Sequence, residues 1–340
     1  MIPRTADDPA ATATAYAALR TSAVLVDRSS RARATFGAPK AAEVLTGLVT
    51  NDILALHDGT GCYAAALTPR GKIIADARLF VRANDILVDV APAAAAGWWA
   101  MVRKFVNPRL SRFADVSDSL ADLSVYGAEA ASIVSQAAGV ERDRLRDLQE
   151  FEHLTVPILG ADCTVARVPD LGVEGFAIFV PVERRDAAKK ALQLAGAVPA
   201  PHATVEIARI ESGRAEWGVE MDENTLPQEA NLEELHAISY TKGCYTGQET
   251  VARIHFRGHV NRRLRGMRFH AGGGIPVRGE VFDASGKSVG EVRSVAHSPR
   301  LGGIGIAMIR REVAPGSEVE IRAADGSAKA LVVDLPMTDD

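Results

Sequence analysis

The chain has 340 residues, a net charge of −4, 47% hydrophobic and 24% charged residues, an ordinary globular composition with room for two or three domains. Its longest apolar runs, such as 91–100, fall far short of the roughly 20 residues needed to cross a bilayer, so no membrane is expected, and Met1-Ile2-Pro3-Arg4 lacks the basic start and apolar segment of a secretory signal. The three cysteines, Cys62, Cys163 and Cys244, cannot all pair and none lies in a C-x-x-C spacing; a reducing, cytoplasmic setting is expected, and a resident zinc or iron-sulfur cluster is not.

In chain order, residues 25–30 lead into a short strand near 34–36. Pro39 is placed in the first turn of a helix with apolar Val44, Leu45 and Leu48 at helical spacing, closed by Thr50-Asn51-Asp52. Segments 62–67 and 72–81 flank Thr68-Pro69-Arg70-Gly71, whose Pro and Gly supply turn chemistry, so a hairpin is predicted. A strand over 86–90 and a helix over about 93–105 follow. From 120 to 199 the order is strand, helix, strand, strand, helix (123–126, 128–138, 163–168, 176–180, 183–195), that of a small ferredoxin-like unit, and Pro199-Ala200-Pro201 reads as a linker. Residues 205–210 read as helix. After 264, short β-rich runs at 264–269, 280–282, 289–295, 304–309, 319–321 and 331–333 alternate with Gly-bearing turns and predict an antiparallel barrel or sandwich, with Gly272-Gly273-Gly274 as one of its loops. The fold class is α+β, divided as 1–119 with 200–260, 120–199, and 261–340.

The densest concentration of chemistry is Lys242-Gly243-Cys244-Tyr245-Thr246-Gly247-Gln248-Glu249. Thr246 and Glu249 have the spacing of a capping box. Cys244 is therefore expected beside a helix N-terminus, where the macrodipole, Lys242 and Arg253 favour a thiolate. A lone cysteine is otherwise a small buried hydrophobe. The octapeptide resembles the signature of the YgfZ-type folate-binding proteins, relatives of the glycine-cleavage T-protein. Thr50-Asn51-Asp52 with Gly61, Tyr63, Gly71, Ile73 and Ile74, then Arg209-Ile210-Glu211-Ser212-Gly213, then Gly290-Glu291-Val292-Arg293-Ser294 with Ser298-Pro299, are similar to T-protein patterns in its N-terminal, central and C-terminal parts.

That resemblance implies three domains closing into a ring around tetrahydrofolate or a derivative. The family's pterin-recognising glutamate falls on Glu211; a carboxylate suits the amino-pyrimidinone edge because it accepts two parallel N–H bonds. Trp217 and Tyr245 offer flat walls for the ligand, with Gln248, Arg253 and Asp76 as further candidate folate contacts and Cys244 as the functional thiol. T-proteins place paired carboxylates after the hairpin, whereas this chain has Ala75-Asp76, which counts against transferase chemistry. The resemblance thus implies an accessory protein for assembly or repair of iron-sulfur enzymes, acting with client or assembly proteins and affecting tRNA modification indirectly. A folate-dependent aminomethyl or one-carbon transferase is the alternative. Seven arginines and no acidic residue lie between Thr250 and Gly279, which leaves an RNA-binding module as a third reading, though with few aromatics to stack bases. His255 and His259 lack the companions of a zinc site.

Overall fold

Residues 8–270, 274–276, 278–324 and 326–339 are described by the structure, a computed structural model. The Met1–Arg4 start and Gly272-Gly273 of the expected barrel loop lie outside them. Contacts divide the chain into two compact units, one formed by the residues up to Arg31 with Asp115–Arg209, the other by Ala32–Ala114 and the chain from Ile210 onward.

The first unit holds a six-stranded sheet in the order Val198–Pro199, Val24–Asp27, Leu120–Tyr126, Gly175–Pro181, Ala161–Arg167, His153–Ile158. Leu123, Val125, Phe176, Ile178 and Val180 alternate onto one face and meet Ile133 and Val134 of helix Ala130–Ala138 and Leu192 of helix Arg185–Leu194, the period-2 against period-3.6 match that closes such a layer. Pro199-Ala200-Pro201 is not a free linker: Val198 and Pro199 pair in parallel with Val24 and Leu25, and the Ala200 N–H donates to Leu25 O at 2.9 Å. Helix Pro9–Thr21 was not expected, yet its start follows rule, with Asp8 as N-cap accepting from the Ala10 N–H at 3.0 Å and proline at the first turn.

In the second unit a five-stranded sheet runs in the order Gly61–Leu67, Ile73–Arg82, Asp85–Val90, Ala32–Pro39, Ser111–Asp115. Pro39 ends a strand here rather than opening a helix, which starts at Ala41. One sheet face, with Ala64, Ala66, Ala75, Ala77, Leu79, Val88, Val90 and Phe36, packs on helix Ala41–Leu48 and on Trp98, Met101 and Val102 of helix Ala95–Phe105. Small alanines let the helices approach the sheet.

The same unit contains a closed six-stranded barrel, Arg262–Phe269, Gly302–Arg310, Ser288–Ser298, Glu280–Phe282, Glu318–Ala323, Gly326–Val333, sealed by antiparallel pairing of the first with the last. All six β-rich runs become its strands, and Met267, Val281, Val292, Ala307, Ile309, Val319, Ile321 and Val332 fill it. Closure removes the exposed edges that an open sheet would leave.

Candidate functional site

Strand register sorts the second unit's five-stranded sheet into an apolar and a polar face. Asp76 pairs with Ala65, Arg78 with both Tyr63 and Asp89, and Asp89 with Arg33; alternation puts Tyr63, Asp76, Arg78, Asp89 and Arg33 together, opposite the alanine face. All but Tyr63 are buried. The Tyr63 hydroxyl donates to Asp76 Oδ2 at 2.9 Å. Arg78 grips Asp89 Oδ2 through Nε at 2.9 Å and Nη2 at 2.6 Å, and Arg33 Nη1 lies 3.7 Å from Asp89 Oδ1. Buried charges persist when they are paired in this way. Ala75, expected to stand where a second carboxylate belongs, is fully buried in the opposite, apolar face. Neighbours in a strand point to opposite faces, so the Ala75 methyl group takes nothing from the Asp76 side.

Glu211 ends helix His202–Glu211 and is 3% exposed. Its Oε1 accepts the Ser298 hydroxyl proton at 2.5 Å, its Oε2 lies 3.5 Å from Arg300 Nη2, and its backbone oxygen accepts the Met337 N–H at 2.8 Å. The helix is followed by Gly213 at φ +71°, where a Cβ would meet Leu335 Cβ at 2.6 Å, so only glycine fits. Trp217 and Tyr245 join the apolar cluster that also holds Ile210, Tyr63, Ala65 and Ile304. Asp76, through Tyr63, and the Trp217 and Tyr245 rings are thus assembled around one cluster in one unit. Glu220, a second buried carboxylate, accepts the Ser294 hydroxyl proton at 2.5 Å and the Glu216 N–H at 2.8 Å, a pairing 74 residues apart that carries no local signal in the sequence.

The octapeptide is built differently from expectation. Helix Gln248–Arg257 is capped by Gly247, at φ +84° and with no side-chain cap bond, so Thr246 and Glu249 form no capping box. Gln248 instead reaches back, its Oε1 accepting from the Tyr245 N–H at 3.4 Å. A Cβ on Gly247 would sit 2.6 Å from Thr68 O and 3.1 Å from Gly71 Cα; one on Gly71, at φ +77°, would sit 2.9 Å from Thr250 Cβ. The two glycines seat the octapeptide on the Thr68–Gly71 turn. Lys242 is 7% exposed and donates to Thr46 O at 2.5 Å, Val49 O at 2.6 Å and Asn51 O at 2.8 Å, satisfying carbonyls at the end of helix Ala41–Leu48. Burial pulls this ammonium down to about 8. Asn51 Nδ2 donates to Tyr63 O and His236 O, each at 2.9 Å, so Thr50-Asn51-Asp52 serves the same junction.

Gly243, Cys244, Glu249 and Arg253 are exposed. Lys242, expected to lend charge to Cys244, spends its donors on carbonyls, and the helix begins after Cys244 by a full turn. Much of the basic stretch is neutralised internally: Arg262 Nε donates to Glu229 at 3.0 Å, Arg263 meets Glu234 and Asn231, and Arg265 meets Asp334. His255 Nδ1 lies 2.6 Å from Glu233 Oε1 and stacks on Tyr240 at 3.7 Å. Among the described residues no group of three or more His, Cys, Asp or Glu could hold a metal ion, and no helix is long and apolar enough to cross a membrane.

Residues 5–239 match the model of the GCVT N-terminal domain, and residues 262–339 that of the glycine cleavage T-protein C-terminal barrel domain. The chain belongs to the glycine cleavage T-protein family. It is similar to the aminomethyltransferase of Rubrobacter xylanophilus, 29% identical over 322 residues that cover 94% of this chain and 84% of that protein. To the aminomethyltransferase of Nostoc sp. it is 28% identical over 331 residues, covering 94% and 86%. The crystal structure of glycine cleavage system aminomethyltransferase T from Bartonella henselae superimposes with a TM-score of 0.86 at 21% identity, covering 96% of this chain and 90% of that one; this establishes the T-protein α+β fold with its closed barrel. These relatives overturn the expectation of an iron-sulfur assembly factor drawn from the octapeptide, since they are named aminomethyltransferases. The T-protein part of that resemblance stands.

Proposed function

We propose that the chain is a folate-dependent aminomethyltransferase, which passes the one-carbon unit of a carrier-bound aminomethyl group to tetrahydrofolate. Proteins of this family bind tetrahydrofolate. The observation that carries the reading is Asp76, a buried carboxylate held by Tyr63 on the polar face of a sheet whose other face is sealed by helices. A carboxylate there meets the ammonium end of an aminomethyl group in a low-dielectric site, where its field is strongest. In the transfer, the carbon's bonds to nitrogen and to the carrier thiol break and two bonds to folate nitrogens form. The two protons those nitrogens give up leave on the amine and on the thiol.

Glu211 takes the pterin edge, Trp217 and Tyr245 flank the ring, Gln248 supports Tyr245, and exposed Arg253 serves the anionic glutamate tail. Cys244 has no part in this chemistry. In the test, Asp76→Asn should lower kcat for methylene-tetrahydrofolate formation from an aminomethylated lipoyl carrier by at least about a hundredfold, with tetrahydrofolate affinity and thermal midpoint near wild type. Full activity in that variant, or no turnover by the wild-type chain, would overturn the reading.

A further inference from the structure

Two buried glutamates in the second unit are each served by a serine of the same barrel strand, Ser288–Ser298. Ser298 donates to Glu211 and Ser294 to Glu220, both at 2.5 Å. The two serines differ in what surrounds them. A serine hydroxyl has one proton to give and two lone pairs to accept with. At Ser298 the oxygen accepts the Arg300 and Leu301 N–H groups, each at 3.0 Å, and its single proton goes to Glu211 Oε1. Arg300 lies against the other oxygen of the same carboxylate, 3.5 Å from Oε2, and is itself anchored through Nη1 to Asp339 at 2.5 Å. Glu220 is held instead by the Glu216 backbone within its own loop.

We infer that Ser298 and Arg300 are positioning residues for substrate: the barrel turn 298–301 fixes the plane of the Glu211 carboxylate so that it meets the pterin edge of folate with both oxygens in register, whereas the Ser294 pair only fastens the loop. The inference rests on the reading of Glu211 as the pterin-recognising group. A bidentate contact is directional, so a carboxylate free to rotate must be ordered on binding, and side chains locked beforehand avoid that cost.

Calorimetric titration of the full-length protein with tetrahydrofolate, paired with thermal midpoints, separates the two serines. Ser298→Ala should weaken binding about tenfold, the scale of one hydrogen bond to a charged group. Ser294→Ala loses an equivalent buried bond and should lower the midpoint comparably while leaving affinity within about twofold. In a Glu211→Gln background, Ser298→Ala should add no further loss, since its effect runs through that carboxylate. Should Ser298→Ala fail to fold, the near-isosteric pair Ser298→Thr and Ser298→Val asks the same question, with valine expected about tenfold weaker than threonine. Unchanged affinity in Ser298→Ala beside a weakened Glu211→Gln, or equal weakening by Ser294→Ala, would sink the positioning role alone. Unchanged affinity in Glu211→Gln would instead remove the pterin-recognition reading beneath it.

Discussion

The ammonium of Lys242 donates to three backbone carbonyls in a nearly closed site, and burial lowers its pKa to about 8, with Asp52 and Cys62 pulling the other way. In the unfolded chain a lysine titrates at about 10.4. Between pH 8 and that value the unfolded state therefore binds more protons, and this group's contribution to stability rises with pH; below pH 8 the full cost of burying the charge is present. The urea midpoint of wild type, relative to Lys242→Met, should accordingly improve from pH 7.5 to pH 10. A difference that shrinks would mean that the three carbonyls outweigh burial. The cysteines allow a second check. Burial pushes Cys62 up to about 12 and also raises Cys163, while Cys244 lies on the surface. Iodoacetamide at pH 8 should label Cys244 alone in the native protein and all three after unfolding; early labelling of Cys62 would contradict its placement. At this scale Asp76 and Glu211 are candidates because short motifs frame them, whereas Ser298 meets Glu211 across 87 residues, which no window of sequence displays.

The octapeptide shows why an element boundary resists sequence reading even when its motif is recognised. The capping-box pattern is local, but Gly247 adopts φ +84° to lie against the Thr68–Gly71 turn, and this tertiary demand moves the cap one residue on. The consequence is a pair of opposed expectations. Thr246→Ala should change stability by less than about 0.5 kcal/mol, since no cap bond is lost. Gly247→Ala must place a methyl group against Thr68 O in left-handed backbone, and should cost at least about 2 kcal/mol, read as a drop in thermal midpoint. If Thr246→Ala proved the more damaging, the cap would lie where the sequence pattern put it. The barrel, by contrast, was legible strand by strand because alternation and glycine turns are themselves local. Helix Pro9–Thr21 also carries a local signal, Asp8-Pro9, but its alanine-rich body shows little of the apolar periodicity by which helices are found.

For the molecule as a whole, composition and order of elements conveyed the α+β class and the barrel, while the polar face that carries the candidate Asp76 emerged only from strand register: the step from Ala75 to Asp76 is one residue in sequence and the full thickness of a sheet in space. The C-terminal segment after the barrel makes the same point, since nothing in its composition marks it as a neighbour of Glu211 and Arg300. Leu335 fills the space over Gly213 and Gly266, Met337 is buried in the cluster that holds Tyr245, and its N–H donates to Glu211 O. Asp339 holds Arg300. Ending the chain after Asp334 uncovers two apolar side chains, worth about 2–4 kcal/mol at the usual value per buried aliphatic group with one only half-buried, a large part of a typical total of about 5–15 kcal/mol. The truncated protein should therefore melt several degrees lower and bind tetrahydrofolate more weakly, because Glu211 loses a backbone partner and Arg300 its anchor. Met337→Ala in the full-length chain separates these effects: it removes apolar contact and keeps both polar ones, so it should lower the midpoint with little change in affinity. Affinity falling equally in both proteins would show that the segment acts on folate through packing, and an unchanged midpoint in the truncation would show that it is not part of the folded unit at all.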